Sequence, residues 1–485
     1  CVTRRQRQMC IRDRLYSGIA IMAISGLITN AKAQDVGAQI DALQNEILKM
    51  KEQMSKGSGD NKAYFKKGKG LSIKSSDGKY EFKIGGRMMY DLTQLVDYES
   101  GTHTMTQHET GNGFGAEFRR LRFDIKGKIG NGWAWVIQPD FAEGSANSKV
   151  RNVVIKDAFI SKSIKGVGKF SFGNVKSGQG LYENTSSNNL IYMERPLHNE
   201  MMNFAQRMGI VYDTSGALGK QFHAKMGIFS GLESGLVQPI GDSGVAGNAD
   251  NESEHYGASI AVHYHYKTDT PLVGGPLSTL FGYHFGYLNM SGSETYDTNS
   301  ARANGVHTFV DKPIDIGNLT TADTHTFHGP QLSLIFNDAL LLQTEYQIGK
   351  YTFDPEEVSS GVLSTRDDYN IYGGSIGISY AITGKYKHSG KKGAVGGLKC
   401  KRHCFVPKYQ YEWIDANDFD NVGTGVGSRD GGGGAGQVHT MGFNHYFNSN
   451  VRAMFEYAYG EYDLDNARGT PSDISTLQAR LHLKW

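Results

Sequence analysis

At 485 residues the chain is long enough for two or three ordinary domains, although a β-barrel of that length folds as one unit. Its 62 Gly, 26 Tyr and 23 Phe stand against 10 Pro and 4 Cys, and at a mean hydropathy of −0.44 no run of about twenty apolar residues exists for a membrane-spanning helix. The formal charge is only +2, and residues 1–33 hold five Arg, one Lys and one Asp, so the remainder carries 2 − 5 = −3; no nucleic-acid partner is expected, and any case for anion binding has to be local.

The chain opens on a secretory pattern. Arg12 and Arg14 precede an apolar stretch from Gly18 to Ile28, and Ala31-Lys32-Ala33 has the small-x-small form of a cleavage site. Residues 1–33 therefore read as a leader plus signal peptide, cleaved near Ala33, with 1–14 taken as non-native. Ile40, Leu43, Ile47, Met50 and Met54 then follow a 3–4 spacing among polar residues. This predicts a short coiled-coil helix over 34–56, either associating with copies of itself or lying alone. Residues 57–78, centred on a Gly-, Ser- and Lys-rich stretch without period, read as a linker.

From residue 79 the period is two. Phe82, Ile84, Met88 and Tyr90 alternate with Lys83, Arg87 and Asp91, and Leu121, Phe123 and Ile125 with Arg120, Arg122, Asp124 and Lys126. Ile260, Val262, Tyr264 and Tyr266 oppose His263 and His265; Leu340, Leu342 and Tyr346 oppose Gln343, Glu345 and Gln347. The last strand sets Leu477, Leu481, Leu483 and Trp485 against Gln478, Arg480, His482 and Lys484. Tight turns such as 130–132, 337–338 and 448–450 punctuate long polar stretches at 93–114, 231–253, 291–304, 352–369, 385–404 and 416–436. Short turns at one end and long loops at the other are how a membrane barrel is built. The fold class is all-β, a transmembrane antiparallel β-barrel of about sixteen strands over 79–485, preceded by the short helix.

A barrel of that size encloses water, and its lining decides what passes. Arg120, Arg122, Lys126 and Lys128 share one strand face, with Lys83 and Arg87 on the polar face of the neighbouring first strand and Asp124 the only acid among them. Such a row favours small anions, unless acids such as Asp140 and Glu345 balance it. Arg119, beside Arg120, faces lipid or a protomer interface on a regular strand and turns inward only through a bulge. Cys400 and Cys404 are read as a loop disulfide or, with His403, as part of a metal site. The basic run from Lys385 to Arg402 beside them is assigned to an external loop. No arrangement demands a catalytic group or cofactor.

Several motifs together resemble the phosphate-selective porin O/P family. They are Phe118-Arg119-Arg120-Leu121-Arg122 with Trp133 and Asp140-Phe141, then Asp157-Ala158-Phe159-Ile160 and Gly173-Asn174-Val175-Lys176. Thr185-Ser186-Ser187, Tyr192-Met193-Glu194-Arg195, Ile382-Thr383-Gly384 and Thr440–Tyr446 complete the set. The resemblance implies a homotrimer of sixteen-stranded barrels in the Gram-negative outer membrane, each pore narrowed by an inward third loop. Ser186 and Ser187 would then donate to an oxyanion, Lys176 and Arg195 would line or anchor the narrowing, and Trp485 would present the strand read by the barrel-insertion machinery. Lipid and lipopolysaccharide are the other partners implied. One departure weakens phosphate as the substrate: Glu183-Asn184 stands where committed members carry Lys. A general or sugar-selective pore is the alternative.

Overall fold

In a computed structural model the described residues are 61–66, 70–98, 113–142, 153–219, 221–230, 255–270, 274–290, 322–353, 368–419, 433–463 and 472–485, with short pieces within 45–49, 296–319 and 356–364. The expected leader and most of the expected helix lie outside them; Asn45, Glu46 and Lys49 are helical, and the expected linker includes the strands Asn61–Lys66 and Gly70–Ser75.

Sixteen antiparallel strands close on themselves. They are β1 Tyr80–Tyr98, β2 Phe114–Ile129, β3 Trp133–Asp140, β4 Val154–Ile164, β5 Gly168–Lys176, β6 Gln206–Asp213, β7 Phe222–Ser230 and β8 Tyr256–Thr270. β9 Gly275–Asn289, β10 Ala322–Phe336, β11 Leu340–Phe353, β12 Tyr369–Tyr380, β13 Cys404–Asp415, β14 Ala435–Tyr446, β15 Val451–Asp463 and β16 Ser472–Lys484 follow. Each pairs with the next, and β16 returns to β1 through pairs from Lys484↔Arg87 to Ile474↔Tyr98. Gly86 and Trp485 exchange two backbone hydrogen bonds of 3.1 Å at that seam. Below it, Gly70–Ser75 adds a strand to the free edge of β1, pairing Leu71 with Ile84.

The two-residue rhythm is what places side chains. Ile260, Tyr264, Phe281, Tyr283 and Leu481 stand exposed on the outside, whereas Ser259, His263, His284, Gln343, Glu345 and Gln347 are buried within. Closing the sheet pairs the backbone groups of neighbouring strands, and the outward apolar side chains face lipid. Tight turns use residues that accept positive φ, Asn131 at 42° between Gly130 and Gly132, and Asn337 and Asp338 at 53° and 57°.

Chain folds into part of the interior. Residues 177–205, between β5 and β6, run inside the barrel with two short helices, α1 Leu181–Asn184 and α2 Leu197–Met202. Around α2, Leu197, Met201, Met202 and Phe204 pack against inward Phe229, Phe327, Tyr351 and Ile371. A second apolar cluster joins Leu181, Ile191 and Tyr192 to Tyr386, Val395 and Leu398 from the β12–β13 connection. That connection corrects an expectation: it joins the same end of the barrel as the tight turns and the seam, not the long loops. It folds inward because it carries its own apolar residues, and Val395 N–H reaches Thr185 Oγ1 at 3.3 Å. Cys400 and Cys404 form a disulfide where it rejoins β13.

Candidate functional site

Two irregularities in the wall build the site. Between β1 and β2 the register slips, with Met89 opposite Arg120 but Tyr90 opposite Phe118, so Arg119 is an extra residue. Between β3 and β4, Gln138 faces Asp157 while Pro139 faces Ile155, which leaves Lys156 extra. A bulge breaks the alternation and lets adjacent residues point the same way. Arg119 with Arg120, and Lys156 with Asp157, all border one cavity of about 390 Å³. Sequence reasoning named the bulge as the condition for Arg119 but gave it no place in the site, and it missed Lys156. The signal is a charged doublet inside an alternating strand, where one member would otherwise face lipid.

The inner segment supplies the opposite side. Glu194 accepts from Arg120 twice, at 3.0 and 2.8 Å, from Arg119 at 3.1 Å and from Arg480 at 2.6 Å. Arg480 also holds Asp91 through bonds of 2.6 and 2.5 Å. Burial pushes the Glu194 carboxyl up, but the three guanidiniums outweigh it and hold it well below the usual carboxylate range. Glu183 is likewise pushed up by burial and brought down below its ordinary value by Arg195 and Lys176. Its carboxylate meets Arg195 Nε at 2.8 Å and also Lys176 Nζ. Arg195 donates further to the carbonyls of Tyr182 at 3.1 Å and Thr185 at 3.2 Å.

Of the residues expected from sequence, Arg87, Arg120, Arg122, Lys176, Ser186, Ser187 and Arg195 come together around the cavity. Arg87 Nη1 donates to Ser187 Oγ at 2.7 Å and its other amine lies 3.4 Å from Asp124. Arg122 Nε donates to Asp140 at 2.5 Å. Lys83 and Lys126, partners in the β1–β2 register, do not border it: Lys83 pairs with Glu81 at 2.8 Å and Lys126 is exposed. Asn184, Asn199, Asn203, Gln138 and Gln206 add amides. Seven cations and four carboxylates line the space; Asp124 and Asp140, behind Arg87 and Arg122, make it seven against six. The lining is thus densely charged yet nearly balanced.

With this geometry in place, the comparisons assign the architecture. The model of phosphate-selective porins O and P matches residues 82–485, the barrel from Phe82 in β1 onward. The chain belongs to that family. A stretch of 135 residues of this porin is 28% identical to an uncharacterized protein of Caulobacter vibrioides, covering 28% of this chain and 24% of that relative's length. Among solved structures, the porin resembles an anion-selective porin from Comamonas acidovorans, at 13% identity and a TM-score of 0.48, covering 84% of this chain and all of the other. It also resembles the outer membrane channel DcaP of Acinetobacter baumannii, at 11% identity and a TM-score of 0.47, covering 85% and 99%. As a member of this family the porin is an outer-membrane protein.

Proposed function

We propose that the protein lets small anions diffuse passively across the outer membrane, with phosphate-like solutes as the family's substrate class and the cavity between β1–β5 and residues 177–205 as the narrowest passage. The carrying observation is the convergence of Arg87 and Arg122 with the Ser186-Ser187 turn on that cavity. Guanidinium and hydroxyl donors replace part of an anion's hydration, and a low-dielectric surrounding strengthens each contact. Arg87, Arg122 and Ser187 meet the solute; Lys176 and Arg195 anchor the segment through Glu183. Expected organisation follows the family: a cleaved signal peptide, a homotrimer to which the helix over 34–56 contributes, lipopolysaccharide around the long loops, and insertion guided by Trp485.

A sugar-selective pore would need aromatic faces along the passage. Among the described residues that border the cavity none is aromatic; Tyr192, Tyr351 and Tyr386 are packed in the interior apolar clusters. Planar-bilayer recordings in a salt gradient test the anion reading. Chloride should be preferred over potassium, phosphate should compete, and Arg87→Ala with Arg122→Ala should abolish that preference. An unchanged reversal potential in the variant removes the site assignment.

A further inference from the structure

We infer that the passage favours small zwitterions, solutes carrying one carboxylate and one ammonium such as free α-amino acids, over the phosphate dianion. The inference rests on the reading of the cavity as a permeation site and departs from the family's phosphate-like class in the solute it favours.

Charge is segregated across the cavity. The wall contributes Arg87, Arg122 and Lys156, and the inner segment contributes Glu183, Glu194 and Glu200. Asp157 on the wall and Arg195 on the segment are the exceptions. A solute between the two faces meets guanidinium donors on one side and carboxylate acceptors on the other. Arg87 donates to Ser187 Oγ at 2.7 Å, so the Ser187 hydroxyl has its own proton to give to a carboxylate. An ammonium on the same solute finds Glu200 and the amide oxygens of Asn199 and Asn203, all from one short stretch of the segment.

Magnitudes separate this solute from phosphate. The cost of removing an ion from water rises with the square of its charge, so a dianion loses about four times what a monoanion loses. Repayment needs surplus positive charge, and seven cations against six carboxylates leave one. Doubling the solute's charge doubles its attraction to the cations and its repulsion from Glu183 and Glu200 alike, so only the single surplus charge offsets a fourfold desolvation cost. A zwitterion needs no surplus and uses both faces at once.

Swelling of liposomes holding the purified full chain gives the test, with glycine, an uncharged amide of the same size, and phosphate compared at equal osmolarity. Glycine should enter at least as fast as the amide and about tenfold faster than phosphate. Glu183→Gln with Glu200→Gln should shift the phosphate-to-glycine ratio about tenfold toward phosphate. If that variant loses potassium chloride conductance, Glu200→Gln alone should move the ratio the same way. Phosphate matching glycine in the wild type, the amide outrunning glycine, or a ratio unmoved by substitution overturns the inference. Absence of swelling by every solute, with no conductance, defeats the pore reading itself.

Discussion

Arg120 and Glu194 share two parallel hydrogen bonds, Nη1 to Oε1 at 3.0 Å and Nη2 to Oε2 at 2.8 Å, and this fork ties the barrel wall to the segment within it. Arg119 and Arg480 complete the clamp. Removing one partner of a buried ion pair is costly because the other is left uncompensated. Glu194→Gln should therefore lower stability by about 3 kcal/mol or more, read as a reduced unfolding temperature in detergent. An unmoved transition would show that the clamp contributes nothing.

The same clamp sets a pH dependence. Burial raises the Glu194 carboxyl, yet Arg119, Arg120 and Arg480 hold it well below its ordinary 4.5. A depressed carboxylate contributes fully above its unfolded value and loses that contribution as pH falls through the folded one. The stability difference between wild type and Glu194→Gln should accordingly stay level from about pH 7 to about pH 4.5 and shrink only at lower pH. A step near 4.5 would mean that Glu194 titrates as an ordinary carboxylate.

Arg119 is extra to the strand, so it can be removed without inverting its neighbours. Deleting it should leave Phe118 outward and Arg120 inward, give a folded barrel, and weaken anion preference by a few-fold, on the order of 1 kcal/mol. Deleting Phe118 instead also removes the extra residue but sets the charged Arg119 in the lipid-facing place that Phe118 held, and should impair assembly. Heat-modifiable gel mobility separates the two.

Lys385 and Lys399 bond each other's backbones at 3.1 and 2.9 Å, bringing together the ends of the inward β12–β13 connection. Excising 386–398 and joining the ends with a short Gly linker should keep the barrel and raise conductance by roughly twofold or more, because Tyr386, Val395 and Leu398 no longer fill that end. Conductance equal to wild type would place the limiting passage wholly at the arginine cavity.

Gly86 sits where the chain closes on itself. A Cβ there would lie 2.5 Å from Arg122 O and 2.5 Å from the Trp485 ring. Gly86→Ala should cost about 1–3 kcal/mol and slow barrel assembly, measured by refolding into micelles.

The faces of the strands were legible in the sequence because alternation maps directly onto inside and outside. Gln343, Glu345 and Gln347 are buried within while Leu342 and Tyr346 lie on the opposite face. Loop ends were less legible. Length suggested that 385–404 joins the long loops, but Tyr386, Ala394, Val395 and Leu398, apolar among lysines and glycines, have a partner inside the barrel. The site was half legible. Arg87, Arg120 and Arg122 follow from strand parity, whereas Glu183 and Glu194, the acids that offset the cations, lie in a segment with no period and enter the sequence reading only through the family motifs.

The two bulges have a consequence for how such a passage acquires its charge. A regular strand offers the interior one side chain about every 7 Å, which caps how many ionic groups a ring of the wall can present. An inserted residue escapes that ceiling and leaves the lipid-facing pattern as it was. Pores of this build can therefore gain or shed an interior cation through single-codon insertion or loss, with no greasy position sacrificed on the outer surface.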